Sequence, residues 1–389
     1  MALIQKEVKK VYKGSTQVWP KLKTFTISWT EQSNMSSGWT YSDDATWLTA
    51  WDTAFDEFFW YSAVRLNTSW QETAEVTQEQ SGWAGKLDIT QLWTLTSWDN
   101  VMIKFPVRWI KMTKNWSVVT LSITEEPNKA WYQYYAHTSS WTLDNPWTPK
   151  DAFYLWAYKW SNSSSVLKSW SWQSSAVNNH PIGFCTRAKA NGSWYNIVGF
   201  YQRQYITALY MMKYGNPDSQ SVIWKWYTSV VSTWGTNSQT NATYWTNSTS
   251  VQCKLFWLED RWGSAYEFIW GARTDGSKQL CTSLSNWSWY SSSGWEWTWT
   301  ILNVTPWYPC LSSISWNNKA MFTPQWTVNS TYVNIYYSSM SDSLGTNQIA
   351  TTAWHINYGG GIFVIKFGVS NYTYDSYTGT RLMYLEWLS

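Results

Sequence analysis

Residues 258–269 read LEDRWGSAYEFI: three aromatic rings, a glycine and two glutamates with neither a helical period nor strict alternation. Such a stretch builds core without regular structure of its own. Trp262 and Tyr266 supply bulk, Gly263 permits close backbone approach, and Glu267 is expected to satisfy buried backbone donors. Near the C-terminus Gly379-Thr-Arg-Leu carries Arg381, expected to act as a buried or half-buried clamp rather than as a catalytic cation.

Working outward, GFYQRQYITALYMMKY (199–214) is the best helix, with Tyr205, Leu209 and Met212 on one face and Gly215 at the C-cap position. Phe153 to Tyr158 reads as a short aromatic strand, and the chain beyond Asp218 reads as loop-dominated, rich in Ser, Thr, Asn and Gly. Before residue 145, β-branched runs alternate with polar breaks: LKTFTIS (22–28), GKLDITQLWTL (85–95), VMIKFPVRWIKM (101–112) and WSVVTLSIT (116–124). Pro106 inside the third run marks an edge strand or a bulge. DDATWLTAWDTAFDEFFW (43–60) fits a short amphipathic helix, or a loop followed by a strand if Trp47 and Trp51 stand for glycine. HTSSWTLDNPWTPKD (137–151), with two prolines, reads as a linker. The expected organisation is a β-rich, sandwich- or barrel-like domain over residues 1–145 and a second domain over 146–389.

The 389 residues suffice for two domains or three small ones, and for a sizeable core that needs neither metal nor disulfides. Charged residues make up 14% and the net charge is +3, which disfavours nucleic acid as a partner. No apolar run reaches the length of a membrane span, and the opening MALIQKEVKKVYKGS has charge where a signal peptide needs an apolar core, so the chain is expected to be soluble and unprocessed, virion-associated or cytoplasmic. Cys185, Cys253, Cys281 and Cys310 are far apart and only three histidines occur, so no metal and no cofactor is expected.

Tryptophan is the anomaly. There are 37, against 19 glycines where ordinary usage of about 7% would give roughly 27. Through residue 180 the glycines are Gly14, Gly38, Gly82 and Gly85, and many tryptophans occupy polar turn-like settings such as Lys114-Asn-Trp-Ser, where φ > 0 is often required. Some bacterial lineages read UGA as glycine, and a translation printing UGA as Trp would produce this pattern. The other reading is a truly Trp-rich surface of the kind that covers sugar faces. A chain made as printed would show strain or exposed apolar rings at its turns.

Four segments carry a family resemblance: Phe153-Tyr-Leu-Trp-Ala-Tyr-Lys-Trp, the helix around Gln202 to Tyr214, residues 258–269, and Ala353-Trp-His-Ile-Asn-Tyr-Gly-Gly-Gly-Ile-Phe followed by Gly379-Thr-Arg-Leu. In this order they resemble the C-type-lectin-like domain of the formylglycine-generating-enzyme and sulfatase-modifying-factor family, over roughly residues 150–385. Trp156, Trp257, Trp270 and Trp354 fall where that family tends to have glycine, whereas Trp262 falls where it has tryptophan. The resemblance implies an α+β fold, with Trp262, Gly263, Glu267, Gly360, Gly361, Phe363 and Arg381 as scaffold.

The enzymatic branch of that family, a copper-dependent oxidase of substrate cysteine, needs paired thiols near the end of the domain, and this chain has no cysteine after Cys310. The closing segment is more similar to the variable proteins of diversity-generating retroelements, which display diversified side chains on a fixed frame. On that resemblance the ligand-binding residues are His355, Asn357, Tyr358, Lys366, Asn371, Tyr372, Tyr374, Asp375 and Tyr377, set among fixed glycines and Phe363. Tyr gives wide contact at low rotamer cost and Asn, Asp and Ser adaptable hydrogen bonds, the chemistry of a paratope, although the same types are also common loop composition. The implied partner is a protein or glycan on a cell or phage-host surface, and the family suggests a homo-oligomer, a trimer. A phage-tail or surface adhesin without diversification is the alternative, and a formylglycine-generating-enzyme-like oxidase a further one.

Overall fold

The computed structural model describes residues 11–13, 16–19, 22–30, 39–46, 55, 59, 62–67, 71–75, 78–79, 86–87, 100–138, 148–159, 161–163, 166–169, 173–174, 178–216, 219–223, 232–233, 243–244, 252–260, 266–274, 279–283, 296–301, 310–314, 321–322, 324–328, 338–340, 348–352, 365–369 and 378–385. In chain order the strands used below begin with β1 (Thr24–Thr30), β2 (Thr40–Asp43), β3 (Ser62–Leu66), β4 (Glu72–Glu75), β5 (Asn100–Pro106), β6 (Trp109–Asn115), β7 (Val118–Thr124) and β8 (Ala152–Trp156). There follow helix α1 (Pro181–Lys189), β9 (Tyr195–Ile197), helix α2 (Phe200–Tyr214), β10 (Lys254–Leu255), β11 (Leu258–Glu259), β12 (Tyr266–Thr274), β13 (Gln279–Thr282) and β14 (Glu296–Ile301). The last are β15 (Ser338–Met340), β16 (Gln348–Thr352), β17 (Ile365–Val369), β18 (Thr378–Gly379) and β19 (Leu382–Tyr384). The chain is β-rich, with several antiparallel sheets and few helices.

A four-stranded antiparallel sheet, ordered β6-β7-β1-β2, shows why alternation in the first part specifies strands. Phe25, Ile27 and Trp29 bury one face of β1 beside Val119, Leu121 and Ile123 of β7. On the opposite face the register stacks hydroxyls into pairs: Thr24 with Thr124 at 2.8 Å, Thr26 with Ser122 at 2.9 Å and Ser28 with Thr120 at 3.0 Å. A slip of one residue would exchange the two faces.

The second sheet has six strands in the order β9-β19-β8-β5-β3-β4, all antiparallel. Residues 101–112, read as one run with a proline inside it, are two strands in two sheets: β5 ends at Pro106 and β6 begins at Trp109. Proline cannot donate to a ladder, and here it ends a strand, so β5 is interior rather than an edge. β5 pairs with β8 from Pro106↔Ala152 to Met102↔Trp156, so strands on both sides of residue 145 share this sheet. The stretch read as a linker is anchored at each end: His137 is fully buried and accepts from Lys150 N–H at 2.7 Å, while Asp151 C=O accepts from Val107 N–H at 2.7 Å.

Helix α2 begins after Gly199 and ends at Gly215, whose φ of +57° caps it in the left-handed conformation as the sequence predicts. The single apolar face expected for it is not what forms, because every residue of α2 is buried. It packs against β1, Tyr135–His137 and β12, so its polar groups find partners inside. Gln202 Nε2 donates to Ala136 C=O at 2.6 Å, Tyr205 Oη to Pro106 C=O at 2.7 Å, and Tyr201 Oη lies 2.8 Å from Thr282 Oγ1. Phe55 and Phe59, helical residues within the 43–60 segment, pack with tilted rings whose centroids are 4.2 Å apart in the same core.

Beyond residue 218, where the sequence reads as loop, lies a seven-stranded sheet: β14-β13-β12-β16-β17-β15, with β18 joining β12 in parallel. β12 is its axis. Between Phe268 and Arg273 it bulges away from β16, carrying Trp270 N–H to Val198 C=O at 2.8 Å. Gly271 makes the bulge possible, since its φ is +73° and a Cβ there would lie 2.6 Å from the Ser283 carbonyl oxygen.

Candidate functional site

Glu267, near the start of β12, has a strand on either side: Thr352 of β16 pairs with it on one edge and Gly379 of β18 on the other. The chain from 353 to 378 therefore departs from and returns to the two flanks of a single residue. Two positions after Gly379, Arg381 comes back across the sheet. Its Nε lies 3.2 Å from Glu267 Oε1, its Nη1 donates to the carbonyls of Trp156 at 2.7 Å and Ala157 at 3.1 Å, and its Nη2 donates to Glu259 C=O at 2.5 Å. One guanidinium thus ties the end of β8, the end of β11, the start of β12 and the entry to β19.

This pair sits in a larger buried cluster in which Lys159, Lys254 and Arg381 face Glu259, Asp260 and Glu267, all at most 3% exposed. The local fold explains the meeting. The β10–β11 hairpin turns on Phe256 and Trp257, both at positive φ, and lays Glu259 N–H on Ala157 C=O at 2.8 Å, which sets Asp260 beside the Lys159 segment. Asp260, itself at φ 51°, donates its N–H to Cys253 C=O, and Gln252 Nε2 donates to its Oδ2. Burial pushes the Asp260 carboxyl up, opposed by Lys159, Gln252 and Arg381. Burial likewise lowers the Lys159 ammonium, opposed by Glu267 and Asp260, and lowers Lys254 to about 8, opposed by Glu259. Lys254 Nζ also lies 4.7 Å from the centroid of the Trp257 ring.

Chemically, buried opposite charges of this kind tie together the strands that carry them. Cys185, Cys253 and Cys281 are buried, and burial raises the Cys185 thiol well above its ordinary range. Among the described residues no group of three or more His, Cys, Asp or Glu is placed to hold a metal ion. No described helix is long and apolar enough to cross a membrane.

Compared with known proteins, the chain matches no family model and no curated protein.

Of the residues singled out in the sequence, Glu267 and Arg381 are brought together, with the Glu267 carboxylate accepting from the Arg381 guanidinium. Lys366 lies in β17, in register with Thr351 of β16 and Ser339 of β15. His355, Asn357, Tyr358, Asn371, Tyr372, Tyr374, Asp375 and Tyr377 lie outside the described residues, as do Trp262, Gly263, Gly360, Gly361 and Phe363. Sequence reasoning passed over Lys159, Lys254, Glu259 and Asp260. Their signal was the acidic pair Glu259-Asp260 set directly after the apolar run Phe256-Trp257-Leu258, since charges in such company are buried only when paired. It also missed a second polar knot, in which Asn191 Oδ1 accepts from Lys168 Nζ at 2.9 Å and from Asn100 Nδ2 at 3.3 Å.

Proposed function

We propose that the chain is a non-enzymatic ligand-binding protein whose residues 146–389 adopt a C-type-lectin-like fold of the formylglycine-generating-enzyme type and present a diversified C-terminal surface, as in the variable proteins of diversity-generating retroelements. The recognition residues are His355, Asn357, Tyr358, Lys366, Asn371, Tyr372, Tyr374, Asp375 and Tyr377. The observation supporting this reading is the double register at Glu267. Thr352 and Gly379 are fixed to either side of it, and Arg381 locks the returning chain to three further backbone carbonyls. A segment anchored by strand pairing at one end and by strand pairing and a buried ion pair at the other can change its intervening side chains without loosening its anchor points, and a preorganised surface spends less free energy on ordering when it binds. Tyr, Asn and Asp at the intervening positions are the residue types of an adaptable paratope. The ligand class is a surface protein or glycan, and the assembly a homo-oligomer.

The genomic locus tests this directly. A nearby repeat of the 3′ coding region that differs only where the coding strand has adenine, beside a reverse transcriptase gene, is the expected finding. A locus without that repeat removes diversification and leaves a fixed-sequence adhesin.

A further inference from the structure

Among the described residues nine non-glycine positions have positive φ, and Asp43, Asn128, Asn178 and Asp260 are of the types that tolerate it. Phe256, Trp257 and Phe322 are bulky but almost fully buried, so surrounding contacts hold their backbones. Trp116 and Trp131 have neither excuse. Their φ angles are 55° and 70°, and their side chains are 92% and 81% exposed.

The local geometry defines the residue each slot calls for. Asn115 pairs with Val118, leaving Trp116 and Ser117 as a two-residue hairpin loop with positive φ at its first position alone. That is the φ pattern of a type II′ turn, whose twist suits the strands it joins and whose first central residue is characteristically glycine because positive φ costs glycine nothing. At the second site Tyr132 N–H donates to Lys129 C=O at 3.1 Å, closing a four-residue turn with positive φ at its third position, Trp131. That is the type II arrangement, which demands glycine at this place. A large ring in either slot strains the backbone and gains no burial in return.

We propose that the protein made in its own cell carries glycine at positions 116 and 131, from UGA codons read as glycine. This inference is independent of the proposed binding role. Trp29 provides the contrast: it is buried in β1, its ring is packed at a tilt against Trp39 with centroids 4.5 Å apart, and its backbone is extended.

Two measurements test the proposal. Peptide mass spectrometry of the protein isolated from its native cells is expected to find glycine at both positions, matching UGA in the gene; tryptophan there, or UGG codons, overturns it. In recombinant protein the double variant Trp116→Gly/Trp131→Gly is expected to melt at a higher temperature than the chain carrying both tryptophans, whereas Trp29→Gly melts lower. A double variant that melts at the same or a lower temperature contradicts the assignment of these turns to glycine.

Discussion

Arg381 Nε lies 3.2 Å from Glu267 Oε1, with the two side chains 1% and 0% exposed. Buried pairs of this kind add little net stability over a well-packed apolar pair, but removing one partner strands the other charge. Arg381→Met is therefore expected to destabilise the fold by about 3–5 kcal/mol in chemical denaturation, and Glu267→Leu by a similar amount. The double variant should cost clearly less than the sum, the mark of direct coupling. Additive costs would mean that the two side chains do not depend on each other.

His137 makes stability depend on pH. Its ring is fully buried between Phe153 and Tyr205, with Nε2 3.2 Å from Phe105 C=O, and burial lowers its pKa from 6.5 to about 3. Below about pH 6.5 the unfolded chain takes up a proton that the folded chain refuses, so stability falls with pH down to about 3, by roughly 1.4 kcal/mol per pH unit from this group. Denaturation at several pH values should show His137→Gln to be less acid-sensitive than the parent. Equal acid sensitivity would place the titration elsewhere.

Two glycines at positive φ should respond differently to alanine. At Gly271 a new Cβ meets the Ser283 carbonyl oxygen at 2.6 Å, a backbone atom that cannot easily yield, so Gly271→Ala is expected to cost about 3 kcal/mol or more. At Gly215 the nearest atoms are Tyr41 Oη at 3.0 Å and Ile27 Cδ1 at 3.3 Å, both side-chain ends able to shift, so Gly215→Ala should cost about 1–2 kcal/mol. Melting temperatures of the two variants rank the sites.

What the sequence made legible follows from how local each signal was. Helix α2 and its Gly215 cap could be read because period and cap lie within one segment, as could β1 and β7, where apolar residues alternate with hydroxyls. The interior position of β5 could not, because it depends on partners drawn from residues 62–66 and 152–156. β16 and β15 are too poor in apolar residues to show as strands, their sequences being QIATT and SSM, and they form against remote partners. Glu267 and Arg381 stood out by type and setting, whereas Lys159 and Asp260 meet only once the β10–β11 hairpin is laid along residue 157.

The proposed binding role requires the C-terminal aromatic residues to face a partner while the frame beneath them is independent of their identity. The direct measurement is a parallel one on Tyr358→Ala/Tyr372→Ala/Tyr374→Ala: its melting temperature, and its retention on an immobilised panel of glycans and surface proteins that captures the parent chain. Lost capture at a melting temperature nearly unchanged from the parent is the expected result. Capture preserved, or a fall in melting temperature of the size expected for deleting core rings, would contradict it.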